Sequence, residues 1–383
     1  TRFTLNKSGM IYGVTSFNGI PFYTEGTSMY TSNVSATDGA SAATENTAYG
    51  STAMDAITTG DNNTAIGYAA AGLLSTGTAN TIIGSLAGDA LTLGSYNVAL
   101  GYNALSTEDA NGRNVAIGSS ALTTLKAGQD AYNIAIGYNA GYAMSSGVQN
   151  TIIGGLAGDS LLDGHYNVAI GYAALSLEDG HGTNVAVGRA ALNVLNAGQD
   201  AFNVAVGYNA GVAMTTGVYN TVLGGRAGDS INIGDDNVAV GYLALSGTGP
   251  GNKNTAIGKG ALQIASQTFA VNASALDHDG AAGAARRTVT HTADSKIEVG
   301  QIVTSGSIFA AFTTVDSITD STHFIISQDA NSSFTSTTVL TFAGGQDASN
   351  TAVGYNAGTA VTTAINNTLI GSSAGDALTT GSY

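Results

Sequence analysis

A short apolar phrase recurs along this chain at nearly constant spacing. Each copy reads Asn, then Thr, Val or Ile, then two mostly aliphatic residues, then Gly, and most neighbouring copies start 17 residues apart. Regular self-similarity at such a period indicates stacked structural units and not one globular core. We call each unit a coil and count its positions from the Asn. The fifteen coils begin at Asn46, Asn63, Asn80, Asn97, Asn114, Asn133, Asn150, Asn167, Asn184, Asn203, Asn220, Asn237, Asn254, Asn350 and Asn367.

Two positions in the coil accept only the smallest residues. Position 5 is always Gly and position 8 is always Ala. A fixed Gly suits a sharp corner with unusual backbone angles, and a fixed Ala suits a site where another backbone comes close. A second Gly often follows at position 15, which predicts two corners in each coil. The structural repeat positions are typified by Asn63, Gly67, Ala70, Asn80, Gly84 and Ala87.

The run before the first corner is too short for a helix and is rich in Val, Ile and Thr, which favours a strand. Side chains alternate along a strand, so positions 2 and 4 share one face, which we predict to point into a core. The opposite face carries the Asn and position 3, usually Ala, and also looks buried. One thin coil covers only its own inside, so we expect identical chains to cover the other face. The pattern therefore predicts an intertwined parallel homotrimer, a rod of roughly 70 Å with ladders of Asn amides along it.

The chain also has a longer repeat of 70 residues, because the spacing 17, 17, 17, 19 from Asn63 to Asn133 is repeated from Asn133 to Asn203. The two extra residues fall in one loop. In the third instance that loop holds an insertion, so that Asn254 and Asn350 lie 96 residues apart. Insertions cost little in an outward-facing loop, so we expect the coils to stack on either side and the insert to project.

The insert reads as several strands with polar turns, which predicts a small β-barrel or sandwich domain. It also concentrates Arg286, Arg287 and Lys296 on a chain poor in positive charge, which makes it the first candidate for recognition. The predicted organisation is an N-terminal β segment over 1–45 that caps or attaches the rod, β-roll repeats over 46–264, the insert over 265–342, and further β-roll repeats over 343–383.

Composition limits the possible partners. The net charge of −15 disfavours nucleic acid, whose backbone requires a basic surface. The chain has no Cys, and its sequence has no signal peptide or membrane-spanning run. Because it starts without Met and stops in mid-phrase at Gly-Ser-Tyr, we expect both ends to continue in a longer product.

Aromatic residues supply the second recognition candidate. Tyr follows the corner Gly in every second coil, so its rings should recur about 9 to 10 Å apart. Such a row suits a glycan, whereas the plainer interpretation is packing of each Tyr against a neighbouring subunit. The candidate receptor-facing residues are Tyr68, Tyr102 and Tyr138, and the row continues with Tyr172, Tyr208, Tyr242 and Tyr355.

The acidic and His residues do not form a sequence pattern typical of a catalytic site or a metal site. The recurring Ala-Gly-Asp phrases place carboxylates four coils apart, too far for one calcium ion, and favour turn-forming Asp. The paired acids Glu108 with Asp109 and Glu178 with Asp179 read as exposed loop residues. We expect no enzyme activity, no cofactor and no metal. The residues weighed are Asp89, Asp159, Asp229, Asp376, the Asp277–Asp279 cluster with His278, and His165, His181, His291 and His323.

Ice binding by a flat Thr array is a further alternative. We disfavour it because Thr64, Thr81 and Thr151 share the predicted core face with Val98 and Val115.

The phrases NTAIGYAAAG at 63 and NTAVGYNAG at 350 resemble the head repeats of trimeric autotransporter adhesins and, more closely, repeats of bacteriophage tail fibre proteins. The insert's GQIVTSGSIFAAFTTVDSITDSTHFIISQ is similar to a small module of phage virion proteins. The resemblance implies left-handed parallel β-rolls in trimers. The 17-residue period departs from the shorter adhesin repeat.

The resulting hypothesis is a structural fibre of a phage virion, located extracellularly on the particle. Its partners would be two further copies, other virion proteins and a host-surface glycan or protein receptor. The head of a bacterial surface adhesin, at the cell surface, is the main alternative, and a sugar-cleaving tailspike is the second.

Overall fold

The computed structural model describes residues 43–108, 110–178, 180–247, 251–263, 348–362 and 364–382. Within 1–42 and 264–347 it describes the strands given below, together with Ile297, Thr313 and the turn at Ser321 and Thr322. Every regular element among these residues is a β-strand, and none is a helix. The chain divides into two compact units, of which the first holds 1–173 and 178–180 and the second holds 174–177 and 181–383.

The first unit contains eight coils, each contributing one three-residue strand to a parallel ladder. Equivalent residues pair coil to coil, as Ala99 does with Ala116. The all-β fold and the parallel β-solenoid with a period of about 17 residues are therefore confirmed. The strands are β7 (Thr47–Tyr49), β8 (Thr64–Ile66), β9 (Thr81–Ile83), β10 (Val98–Leu100), β11 (Val115–Ile117), β12 (Ile134–Ile136), β13 (Thr151–Ile153) and β14 (Val168–Ile170).

Short strands near the N-terminus extend this ladder. Met29 and Tyr30 pair in parallel with Thr47 and Ala48, and the strand that carries them forms an antiparallel hairpin with the strand before it. Two further antiparallel pairs precede the hairpin. The strands are β1 (Thr4–Leu5), β2 (Ile11–Tyr12), β3 (Ser16–Phe17), β4 (Ile20–Pro21), β5 (Tyr23–Glu25) and β6 (Ser28–Tyr30).

The second unit contains seven coils, and its ladder continues without a break across the insertion. Thr255 pairs with Thr351 in the same parallel register as every other coil, although 96 residues separate their Asn positions. The strands are β15 (Val185–Val187), β16 (Val204–Val206), β17 (Thr221–Leu223), β18 (Val238–Val240), β19 (Thr255–Ile257), β26 (Thr351–Val353) and β27 (Thr368–Ile370).

Strands of the insert form a six-stranded antiparallel sheet in the order β22, β25, β20, β21, β24, β23. Phe324, Val289 and Leu340 belong to a hydrophobic cluster that is separate from the coil interior. The strands are β20 (Thr268–Asp277), β21 (Thr288–His291), β22 (Ile302–Thr304), β23 (Val315–Asp320), β24 (His323–Ile326) and β25 (Thr338–Ala343). Its assignment as an inserted barrel or sandwich domain stays a prediction.

The predicted orientation of the coil strands was wrong. Positions 1 and 3, such as Asn63 and Ala65, are fully buried, whereas Thr64 is half-buried and Ile66 is exposed. The coil interior is narrow, and it is filled by the position 3 side chain, the position 8 Ala and Leu, Met or Ile side chains from positions 9 and 12. Position 3 is mostly Ala, and the larger Ile82, Ile152 and Val222 occur in coils where position 9 is Gly. The bulky residues of positions 2 and 4 therefore face outward.

The buried Asn side chains link each coil to the next. Asn150 donates its backbone N–H to Oδ1 of Asn133 at 2.9 Å and its side-chain Nδ2 to the same oxygen at 3.2 Å. Asn133 also donates Nδ2 to the carbonyl of Gly147 at 2.8 Å, across its own coil. The amide thus satisfies backbone groups that the three-residue strand leaves unpaired.

Replacing Asn133 by Ala should destabilise the first unit by about 2 to 5 kcal/mol, because it leaves the N–H of Asn150 and the carbonyl of Gly147 buried without partners. Urea unfolding at fixed protein concentration measures the change. Asn139→Ala is the control, because the equivalent coil position holds Ala69 and Ala173. An equal effect of both variants would contradict the role of the ladder.

The corner Gly at position 5 is required by backbone geometry. Gly154 has φ of +136°, and a Cβ there would collide with the backbone carbonyl group of Gly171 in the next coil. The adjacent Gly155 has no such restriction, since its Cβ would lie 3.6 Å from Cδ2 of Tyr172 in ordinary contact.

Gly154→Ala should therefore prevent stable folding of the coil, whereas Gly155→Ala should fold normally. Circular dichroism and proteolysis of the two purified variants make the comparison. Similar resistance of both variants to protease would show that the corner tolerates a side chain.

Candidate functional site: the outer surfaces of the coils

The Tyr residues that follow the corner Gly lie on the outside of the coils. In the first unit Tyr68, Tyr102 and Tyr138 are exposed, with 54% to 61% of each residue accessible. Small residues occupy the alternate coils, and the ring of Tyr172 leans over Gly155 of the coil before it. The row consequently presents one aromatic side chain per two coils, about 9.5 Å apart.

Arg286, Arg287 and Lys296, the recognition candidates of the insert, lie outside the described residues. So do His278 and Asp279 of the acidic cluster. Their proposed role in receptor binding therefore stays a prediction.

A second aromatic row, which sequence reasoning missed, occupies the last position of the coil, immediately before the Asn. In the first unit the guanidinium of Arg113 lies 5.1 Å from the ring centroid of Tyr96 and 5.5 Å from that of Tyr132. Arg113 also donates to Asp130 at 2.7 Å. In the second unit Phe202 and Tyr219 stack with centroids 5.7 Å apart. The sequence shows this row as an aromatic residue directly before five of the fifteen repeat Asn residues.

These aromatic residues have a strained backbone conformation. Tyr96, Tyr132 and Tyr219 adopt φ of 61°, 52° and 59°, a left-handed conformation that disfavours residues with a Cβ. Their faces are turned toward neighbouring coils, where they contact a cation or another ring. The same conformation occurs at this position where the residue is not aromatic, as at Ala79 with φ of 56°, so it belongs to the coil and not to the aromatic side chains.

The outer face of positions 2 and 4 is an apolar surface in each unit. Ile134 and Val206 are each 38% exposed, and most of their neighbours are half-buried Val, Ile or Leu. Thr64, Thr81 and Thr151 lie on this face and not in a core, which corrects the argument used against ice binding. Ice binding is still disfavoured, because Val and Ile interrupt the Thr positions in both units.

The expectation that Glu108 and Glu178 are exposed was also wrong, since both are fully buried. Glu108 occupies position 12, where most other coils place Leu, Met or Ile. It accepts hydrogen bonds from Nδ2 of Asn111 at 3.1 Å and from the N–H of Ala127 at 3.3 Å. Ala127 belongs to the 19-residue coil, so this buried carboxylate satisfies the backbone of the lengthened loop. Asp109 and Asp179 lie outside the described residues.

The recurring Asp residues lie in turns after position 8. Burial raises the pKa of Asp89 and of Asp159, while hydrogen bonds from backbone N–H groups lower each pKa by less. Asp229 has the same raised pKa from burial, opposed by Arg226, whose Nε lies 2.8 Å from Oδ2. In the insert Asp320 contacts Nδ1 of His323 at 2.9 Å, and hydrogen bonds from His323 and Thr322 lower the pKa of Asp320.

Among the described residues no group of three His, Asp or Glu side chains is arranged to hold a metal ion. Within the same residues, no helix is long and apolar enough to cross a membrane. His165 accepts the N–H of Val148 at Nδ1, 3.0 Å away, and His291 packs against the ring of Phe324.

Comparison with known proteins identifies no relative: no protein-family model, curated protein or solved structure matches the chain.

The raised pKa of Asp89 and Asp159 predicts a pH effect. Their charged forms are disfavoured in the folded state, so the double variant Asp89→Asn, Asp159→Asn should be more stable than the original chain at pH 7. The difference should shrink as pH falls through the raised pKa toward the ordinary value of 3.8.

Asp163 provides the opposite sign, because hydrogen bonds from Ser145 and Ser146 lower its pKa. Asp163→Asn should lose stability at pH 7, with the loss disappearing as the pH drops below the lowered pKa of the original carboxyl. Thermal unfolding between pH 7 and pH 3 measures both variants. Identical pH profiles for the two variants would contradict the assignment.

Proposed function

We propose that this chain is a structural component of a phage virion, a trimeric fibre that attaches the particle to a host surface. The observation that carries the proposal is the apolar outer face of positions 2 and 4. In a single chain this face leaves the position 4 row of Ile, Leu and Val, and a position 2 row of Val, Ile and Thr, against water, and hydrophobic surface of that extent is normally covered by a partner.

A second copy of the same chain suits this face better than an unrelated partner. The side chains recur at the coil spacing of about 4.8 Å, so only a surface with the same repeat can match them along many coils. Identical chains around a common axis have the same repeat and close without leaving an open face. Because positions 2 and 4 face outward, the proposed interface consists of these positions and not of the Ala positions.

The coils supply rigidity, and their outward loops and the insert supply recognition surfaces. The uninterrupted pairing of β19 with β26 supports this division, because it leaves the solenoid unaffected by the residues between them. The resemblance of the repeats and of the insert to phage virion proteins favours a tail fibre over a bacterial surface adhesin. The receptor-facing candidates are the Tyr row and the basic residues of the insert.

Light scattering tests the oligomeric state. The purified chain should have the mass of a trimer, and the double variant Ile134→Glu, Val206→Glu should dissociate it while each chain keeps its β-solenoid circular dichroism. Leu73→Glu is the control, since Leu73 is exposed elsewhere on the coil at position 11. A folded monomer of the unaltered chain would refute the trimer.

Immunogold electron microscopy tests the location. Antibodies against the chain should decorate phage particles, and the soluble chain should compete with those particles for adsorption to the host. Labelling confined to bacterial envelopes would favour the adhesin alternative.

A further inference from the structure

Cations and Tyr residues alternate along one corner of the second unit. The corner ladder consists of one residue from each of six consecutive coils, at position 6 or 7. Its members are Arg189, Tyr208, Arg226, Tyr242, Lys259 and Tyr355, and all six side chains are exposed.

Two of the three cations contact the Tyr of the coil that follows. The guanidinium of Arg189 lies 5.6 Å from the ring centroid of Tyr208, and Nζ of Lys259 lies 5.7 Å from that of Tyr355. Arg226 lies in a coil between these two pairs, and its Nε donates to Oδ2 of Asp229 at 2.8 Å. Cations therefore recur every second coil, about 9.5 Å apart, with a Tyr in each coil between them, and two of the three cations contact the Tyr ring of the following coil.

The arrangement is continuous across the insertion. Lys259 and Tyr355 are far apart in sequence, yet they occupy neighbouring coils because β19 pairs with β26. The ladder is thus assembled by the fold and is not visible as a motif in the sequence.

Positive charge on this corner is a property of the second unit. The chain has 11 Lys and Arg residues and a net charge of −15, and three of those cations stand in this one row. Seventy residues earlier, the positions equivalent to Arg189 and Arg226 hold Ser119 and Leu156, although Tyr138 and Tyr172 are kept. Asp229 pairs with Arg226 through Nε at 2.8 Å, which leaves the terminal nitrogens of the guanidinium as further donors.

We propose that the corner ladder binds an acidic polysaccharide that carries one carboxylate or sulfate on every second sugar. Tyr rings provide apolar surfaces for the sugar rings, and Arg and Lys bind the anionic groups between them. Two coils span about the length of two extended sugar rings, so the ligand repeat matches the ladder repeat. The inference rests on the proposed host attachment and names its ligand class and its site.

Hyaluronan oligosaccharides, which have one carboxylate per disaccharide, are the probe, with neutral dextran oligosaccharides as the comparison. The triple variant Arg189→Ser, Arg226→Leu, Lys259→Ser uses residues that the chain itself places at these positions in other coils, so folding should be preserved. Calorimetry at low salt should show hyaluronan binding to the unaltered chain. The triple variant should bind at least about tenfold more weakly and lose the salt dependence.

A second variant tests the aromatic half of the ladder. Tyr208→Ser, Tyr242→Ser, Tyr355→Ser should weaken hyaluronan binding to a similar extent, whereas Tyr68→Ser, Tyr102→Ser, Tyr138→Ser in the first unit should not. The proposed binding site would be wrong if all variants bound hyaluronan equally well, or if the unaltered chain did not bind hyaluronan. It would also be wrong if the unaltered chain bound dextran or single-stranded oligothymidine as tightly as hyaluronan.

The experiments distinguish an error in the proposed polysaccharide site from an error in the proposed function. If the soluble chain blocks phage adsorption but the two second-unit variants block it equally well, attachment stands and the ladder is wrong. If hyaluronan binds as expected but antibodies never decorate a virion, the ladder stands and the phage fibre is wrong.

Discussion

The fold depends on one buried amide per coil. A three-residue strand supplies only part of the bonding between coils, and the turns add backbone hydrogen bonds to neighbouring coils, as from the N–H of Leu156 to the carbonyl of Tyr138 at 2.9 Å. The position 1 Asn supplies both a donor and an acceptor at that point, joining its own coil through Nδ2 and the next coil through Oδ1. Because the acceptor of one coil is the partner of the next, stability propagates by nearest neighbours, as in other solenoids.

The Asn ladder determines at which positions of the coil the size of the side chain can vary. Inside the coil, the Asn ladder and the close approach of backbones at the corner Gly leave room for Ala and for one or two large side chains. Outside it, the coil spacing is fixed but the side chains are not constrained by packing within the chain. The outer apolar face and the corner rows can therefore acquire roles in assembly and recognition without disturbing the ladder.

The lengthened coils show how the solenoid accommodates a longer loop. Glu108 takes a position that is Leu, Met or Ile in most coils and directs its carboxylate to the amides of Asn111 and Ala127, so half-buried donors beside the lengthened loop are paired. Glu178 repeats this placement 70 residues later and is buried in the same way. In the third instance position 12 is Thr248, and there the loop carries the whole insert. The buried acid thus accompanies the 19-residue loop and not the insertion.

The sequence by itself determined the period, the strands, the corner Gly and the continuation of stacking from Asn254 to Asn350, since each follows from a residue type recurring at fixed spacing. It did not determine which strand face is inside. Position 4 is bulky and apolar and position 3 is usually Ala, so hydrophobicity alone favoured the bulky face for the core. Only the tertiary structure shows that side chains from positions 3, 9 and 12 already fill the narrow interior, so that Ile66 and its equivalents point outward. The corner ladder likewise required the fold, because the proximity of Lys259 to Tyr355 arises from coil stacking over a long insertion and not from their separation along the chain.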